Sequence, residues 1–237
     1  MLIVLPNAYG DPANNMAVDS ALLETLPSKT AVFRHYGWTE PAFTFGYSQY
    51  FREVAQICPK DTSLCRRITG GGIVDHRNDW TYALILNRKL PASRESSTIL
   101  YEKIHRSLAE AVIDQGTSAR LSPCPKKCDE PVPPKQGPEQ CFKQPVMYDV
   151  LAVNSSKIAG AAMKRNRNGL LIQGSIDRSS LPERFNFEKF IQLFTTILSN
   201  TLDLSIIEPD DLRPFFNSEL IEREKNKFQS EAWTQRR

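Results

Sequence analysis

The chain has 237 residues, 41% of them hydrophobic and 24% charged, and a formal net charge of +3. That length suffices for one sizeable core with small appendages. So small a charge excludes the strongly basic arm of a nucleic-acid binder, while leaving a mildly basic surface that suits an acidic protein partner.

Leu2 to Leu5 reads as a strand. This apolar run is too short for the core of a signal peptide and lacks a basic start, and no other stretch approaches a membrane span. The expectation is a soluble, cytoplasmic protein with neither nucleic acid nor membrane as partner. "NNMAVDSALLETL" predicts a helix capped by Asn14 or Asn15, with Met16, Ala17, Ser20, Ala21 and Leu23 along one face. "AVFRHYG" and "AFTFGY" read as strands separated at Gly37–Pro41. "GIVDHRNDWTYALIL" reads as a hairpin with its turn at His76–Asp79 and a second strand running to Leu86.

"ILYEKIHRSLAEAVIDQG" predicts a helix with an apolar stripe of Leu100, Ile104, Leu108 and Ala111, closed by Gly116. The Pro-rich stretch at 122–140 reads as an exposed loop. "VMYDVLAV", "SKIAGAAMKR" and "GLLIQGSI" read as three short strands. An amphipathic helix follows on Phe187, Phe190, Ile191, Phe194, Ile197 and Leu198, and "SELIEREKNKFQSEAW" predicts a polar helix. This order favours an α+β (mixed α/β) fold, a mixed β-sheet flanked by helices, over a doubly wound parallel sheet. One domain is expected over residues 1–237.

The five cysteines are Cys58, Cys65, Cys124, Cys128 and Cys141. An odd count without an export signal argues against a disulfide framework. Cys124 and Cys128 form "CPKKC", yet Cys141 is the one obvious further ligand and no histidine lies close by, so reduced thiols and no metal are expected.

The stretch "CRRITGGGIVDH" carries three consecutive glycines, Gly70, Gly71 and Gly72, each costly in chain entropy on folding. Backbone N–H groups can converge in such a loop and bind a phosphate or carboxylate, with Arg66 and Arg67 adding charge. No G-K-[ST] follows, and Ile73 and Val74 favour a strand over the helix that a dinucleotide fingerprint requires. A plain hairpin entry is the alternative.

"RRITGGGIVDH" resembles the RR-x-[ST]-G-G-G-x-V-x-H signature of the lipoate–protein ligase and octanoyltransferase family, whose fold is shared with biotin–protein ligase. "NMAVDSALL", "FRHYGWTEPAFTFGYSQ", "SKIAGAAMKRNRNGLLIQGSI" and "KNKFQSEAW" are similar to further segments of that family, in order, from residue 14 to about residue 233.

The resemblance implies an acyl chain in an apolar tunnel, an activated head group under the glycine loop, and a lysine of a lipoyl domain as acceptor. Lys157 then corresponds to the lysine that holds the acyl carbonyl, a role suited to a cation in a dry site. An exposed strand lysine is the plain alternative. Gly160, among small residues, leaves room for a ligand beside the backbone. "QCFKQPVMYDV" resembles the C-F-x-x-P-x-x-Y-[DE] segment of the octanoyltransferase branch, which makes Cys141 the acyl-carrying nucleophile. A small buried hydrophobe is the alternative reading of that cysteine.

Arg66, Arg67, Gly70–Gly72, His76 and Gly160 form the expected head-group set. His76 either positions the loop, contacts substrate or lies on the surface of a turn. Tyr36, Trp38, Phe43 and Phe45 are tunnel or core residues, and Asp149 is a metal, ribose or structural contact. Ile172 stands where many relatives have histidine, which removes a proton-transfer role there.

A transferase needs no cofactor and takes octanoate from acyl carrier protein. A ligase needs ATP and Mg²⁺ with lipoate or octanoate. Both act on a lipoyl domain of 2-oxoacid dehydrogenases or on glycine cleavage H protein. The chain ends about where the catalytic domain closes, so no C-terminal accessory domain is expected, which favours a transferase or a ligase needing a separate partner. An inactive relative that binds ligand or lipoyl domains is the third reading.

Overall fold

A computed structural model describes residues 1–123 and 145–237. The chain begins with β1 (Leu2–Val4), β2 (Ala8–Gly10) and α1 (Pro12–Thr25). Asp11, rather than either asparagine, caps α1. Its carboxylate accepts from Asn14 N at 2.8 Å, and Pro12 occupies the first turn, where its missing N–H costs nothing. Asn15 lies buried inside the helix and its amide donates to the carbonyls of Gly10 and Gly37, tying α1 to two strands.

Next come β3 (Ala31–Trp38), β4 (Ala42–Phe45), α2 (Phe51–Ile57), β5 (Ser63–Arg66), β6 (Val74–Asp75), β7 (Asp79–Asn87) and α3 (Ser97–Asp114). The rest comprises β8 (Ala119–Leu121), β9 (Val150–Ala152), β10 (Lys157–Arg165), β11 (Gly169–Asp177), α4 (Phe187–Thr201), β12 (Ile206–Ile207), α5 (Ser218–Gln229) and α6 (Glu231–Thr234).

Nine strands build one mixed sheet in the order β12-β1-β3-β7-β11-β10-β9-β8, with β2 also beside β3. β12, β1 and β3 pair in parallel, as do β2 and β3, whereas every pair from β3 through β7, β11, β10 and β9 to β8 is antiparallel. Both faces of the centre are covered, which explains why β7 reads as a nearly continuous apolar run. Phe33, Tyr82, Leu84 and Ile172 face α3 and α4 on one side. Val32, Ala83, Ile85 and Leu171 face α1 and Phe228 of α5 on the other. The expectation of a mixed sheet flanked by helices therefore holds.

The predicted hairpin does not form. Residues 74–75 pair antiparallel with β4 in a separate three-stranded sheet, order β5-β4-β6, whereas β7 enters the large sheet. His76–Asp79 is a crossing between sheets, and His76 and Asp79 are buried. The predicted polar helix is broken at Ser230, whose hydroxyl caps α6. Among the described residues no helix is long and apolar enough to cross a membrane.

Candidate active site

The side chain of Lys157, first residue of β10, folds back over Gly160. A Cβ at residue 160 would lie 2.5 Å from Lys157 Nζ and 2.9 Å from Asp149 Oδ1. The amine donates to Asp149 Oδ2 at 2.8 Å, with both side chains almost wholly buried. Lys157 is therefore no surface lysine. Asp149 also accepts from Val146 N (2.7 Å) and from the Tyr101 hydroxyl (2.6 Å). Tyr101 in turn accepts from Ala161 N at 3.0 Å. Burial, then the adjacent carboxylate, raises the Tyr101 pKa well above the phenol range, so it stays a donor. His105 packs edge-on to Tyr101 and bonds through Nδ1 to the Tyr148 carbonyl. Burial depresses its pKa to about 4, which leaves a neutral imidazole.

The glycine loop approaches β10 from the small sheet. Gly71 has φ +82°, in the left-handed region, and a Cβ there would stand 3.4 Å from Ala162 Cβ. Gly46 lies so close that a Cβ on it would collide with the Gly71 carbonyl. Arg67 cinches the loop. Its guanidinium donates to Gly70 O at 2.9 Å, Gly72 O at 2.8 Å and Thr44 Oγ1 at 2.7 Å.

Arg66 points away from the loop. Alternation along β5 sends its fully buried guanidinium over the Phe45 ring, to the carbonyls of Tyr47, Gln49, Trp233, Thr234 and Arg237. It anchors α6, and the expectation that both arginines serve the head group is corrected accordingly.

Two buried networks fix the loop from below. In the first, His76 pairs through Nδ1 with Asp79 Oδ2 (2.8 Å) and through Nε2 with Thr44 Oγ1 (2.7 Å). Thr81 and Ser175 also donate to that carboxylate oxygen. Trp38 donates to Thr81 at 3.0 Å and stacks on His76 with centroids 3.9 Å apart. The histidine thus braces the loop through Thr44 and Arg67, and the surface-turn alternative fails. In the second, Thr69 donates to Gln173 Oε1, and Gln173 Nε2 donates to Asp19 Oδ2, both at 2.7 Å. Asp19 also accepts from Tyr36 and Arg34.

These residues enclose a narrow, mostly apolar cleft. Gly160–Ala162, Arg67, Gln173, Tyr36, Trp38, His76 and Thr81 line it, together with Met16 and Val74. Tyr36 and Trp38 are therefore wall residues. Phe43 and Phe45 are not: they flank Thr44 on the opposite face of β4 and pack with Val54, Cys58 and Ile73. Ile172 points into the core against α3 and α4. Cys141 lies outside the described residues, as do Cys124 and Cys128.

Sequence reasoning did not find Thr44, Asp79, Tyr101, His105 or the Asp19–Arg34 pair as parts of this site. Thr44 carried a signal, a polar residue between two phenylalanines of a strand.

A buried lysine amine packed on Gly160, which lines an apolar cleft, and a glycine loop held by Arg67, which lines it too, give a cleft with room for an apolar chain and polar groups beside it. The matches to known proteins agree. Residues 11–193 match the lipoyl protein ligase A/B catalytic domain model, and the chain belongs to that family. It is 33% identical over 190 residues to octanoyltransferase LipM of Halalkalibacterium halodurans, covering 75% of this chain and 67% of the relative. It is also 33% identical over 172 residues to LipM of Staphylococcus aureus, covering 70% and 62%. The chain spans 61% to 67% of the length of these and similar curated relatives.

The fold is similar to that of lipoate-protein ligase A solved with ATP, with a TM-score of 0.72 and 17% identity over 98% of this chain and 97% of that one. It is equally similar, at 0.72 and 16%, to the bi-partite lipoate protein ligase solved with its E2 lipoyl domain from Thermoplasma acidophilum, over 98% and 95%.

Proposed function

We propose that the chain transfers an octanoyl or lipoyl group to a lysine of a lipoyl domain, with Cys141 carrying the acyl group and octanoyl-carrier protein as donor. The observation that carries this reading is the seat of Lys157, whose amine lies on Gly160, a residue that lines an apolar cleft. An acyl carbonyl at that point meets a cation in a dry site, which stabilises the oxyanion as charge develops.

The Cys141 thiolate attacks the donor thioester, a new C–S bond forms, the carrier's C–S bond breaks, and the carrier leaves as a thiolate that takes up the proton Cys141 had given up. The acceptor amine then attacks, a C–N bond forms, the Cys141 C–S bond breaks, and the amine proton passes to the departing thiolate. The role of Cys141 rests on its sequence segment and on the octanoyltransferase relatives. The two described cysteines do not compete for it: burial raises the pKa of both, that of Cys65 to about 12.

The acceptor class draws support from the Thermoplasma ligase solved with a lipoyl domain, and either a 2-oxoacid dehydrogenase or glycine cleavage H protein supplies such a domain. The location that this reading assumes is the cytoplasm. The likeness to an ATP-bound ligase favours a second reading, in which ATP with Mg²⁺ activates lipoate or octanoate. Asp149 does not fit a resident Mg²⁺, because Lys157, Tyr101 and Val146 N already occupy its oxygens.

The test is intact mass after incubation with octanoyl-carrier protein, and separately with ATP and octanoate. The transferase reading expects an octanoyl adduct at Cys141 from the carrier alone, removed by neutral hydroxylamine and absent in Cys141→Ser. Full transfer from the carrier by Cys141→Ala overturns it.

A further inference from the structure

We infer that the face around Tyr47, Lys164 and Arg236 docks the acidic surface of the carrier protein that delivers the acyl group, an inference that rests on the acyl-transfer reading. Ala159, Ala161 and Met163 turn into the core under α3 and α4, so alternation sends Gly160, Ala162 and Lys164 to the other face of β10. Gly160 lines the cleft, Gly71 of the glycine loop comes against Ala162, and Lys164 stands two residues further out, exposed. Tyr47 meets it there. Its backbone N–H donates to Thr69 O at 2.9 Å, and its ring centre lies 5.5 Å from Lys164 Nζ. The Arg236 guanidinium covers the same ring at 4.0 Å and also reaches the Trp233 ring.

Lys164, Arg236 and Arg237 are exposed, and among the described residues none of them forms an ion pair. Arg77, Arg106, Lys189 and Arg213, elsewhere on the surface, each sit on a carboxylate. The hydrogen bond from Arg236 holds the Tyr47 phenol below its ordinary pKa, and the other charges acting on it, Lys164 and Arg237, are positive too. Arg66 lies close by, bonded to backbone carbonyls. A chain of net charge +3 thus gathers unneutralised cations beside its glycine loop. Such a field attracts an acidic protein surface and orients it on approach.

Distance from the cleft selects the donor over the acceptor. Gly160 and Lys164 are four residues apart on one strand, about 13 Å. A lysine side chain spans five bonds to its amine, about 6 Å, so an acceptor seated on this face leaves its amine short of the carbonyl. A carrier holds its acyl group on a long flexible arm. It can rest on the face while the thioester enters beneath the loop.

The experiment measures KM for octanoyl-carrier protein, for the uncharged octanoyl-N-acetylcysteamine thioester and for an apo lipoyl domain. It compares wild type with the double variant Lys164→Glu/Arg236→Glu. KM for the carrier-borne donor is expected to rise by about tenfold or more in the variant, with kcat and the other two KM values at the wild-type level. Added salt should raise the wild-type KM for the carrier and leave that of the variant nearly flat. Lys164→Gln/Arg236→Gln, with a smaller rise of the same kind, serves if a melting curve shows that charge reversal unfolds the chain.

An unchanged carrier KM in a folded variant, an equal rise with the small thioester, or a rise confined to the lipoyl domain overturns the inference. A wild-type protein that transfers the octanoyl group from neither donor overturns the acyl-transfer reading itself.

Discussion

The amine of Lys157 rests on the α-carbon of Gly160, three residues further along the same strand. A Cβ at 160 would lie 2.5 Å from that amine. The register between β9 and β10 shifts between Lys157 and Ala159, an irregularity that accompanies this fold-back. The lysine can turn onto its own strand because residue 160 has no side chain and because Asp149 receives the charge.

Gly160→Ala should therefore behave like a change at Lys157. The new methyl displaces the amine, and transfer should fall by about a hundredfold, the usual loss for one oxyanion donor. Steady-state kinetics and a melting curve check this. Equal kcat in Gly160→Ala contradicts the placement.

Tyr101→Phe should lower transfer while leaving the chain folded. It removes one donor to Asp149 and orphans the Ala161 N–H, a loss of about 1–3 kcal/mol in a buried site. The pH profile separates positioning from packing. Loss of the phenol should shift the profile of kcat, whereas a packing defect alone would lower it uniformly.

The two arginines should separate by phenotype. Arg66→Met strips the carbonyls of α6 and its surroundings of their donor and should cost roughly 2–4 kcal/mol of stability. Arg67→Met frees the carbonyls of Gly70 and Gly72 and should raise KM for the donor more than it lowers the melting temperature. Denaturant melts and KM measurements on both variants decide this.

His105 makes stability pH-dependent. Its folded pKa of about 4 lies below the usual 6.5, so between those values the unfolded chain binds a proton that the native protein does not. Stability should fall as pH drops through that window, by at most about 3 kcal/mol from this residue. His35, also lowered by burial, acts in the same direction. Urea midpoints at pH 7 and pH 5 should converge in His105→Gln relative to wild type. An unchanged slope in that variant removes His105 as the cause.

The central strands, the long helices and the Lys157–Gly160 spacing were legible in the sequence because each is local. Period-2 and period-3.6 patterns report burial on a strand or helix, and a glycine three residues after a lysine is visible in one line. What was hidden depends on long-range pairing. Val74–Asp75 and Asp79–Asn87 look like a hairpin, yet they join different sheets, and no local signal distinguishes the two. Arg66 and Arg67 are adjacent in sequence, but strand alternation sends them to opposite sides. Tyr101 and Asp149 meet across 48 residues. Phe43 and Phe45 read equally as tunnel or core residues, and only the orientation of β4 puts them in the core and Thr44 on the cleft.

The central claim is that Lys157 holds the acyl carbonyl. Its most direct test is the single-turnover rate of octanoyl transfer to a lipoyl domain by wild type and Lys157→Met, starting from a synthetic octanoyl donor. The rate should drop by about a hundredfold or more in the folded variant. A rate equal to wild type, with the melting temperature unchanged, contradicts it.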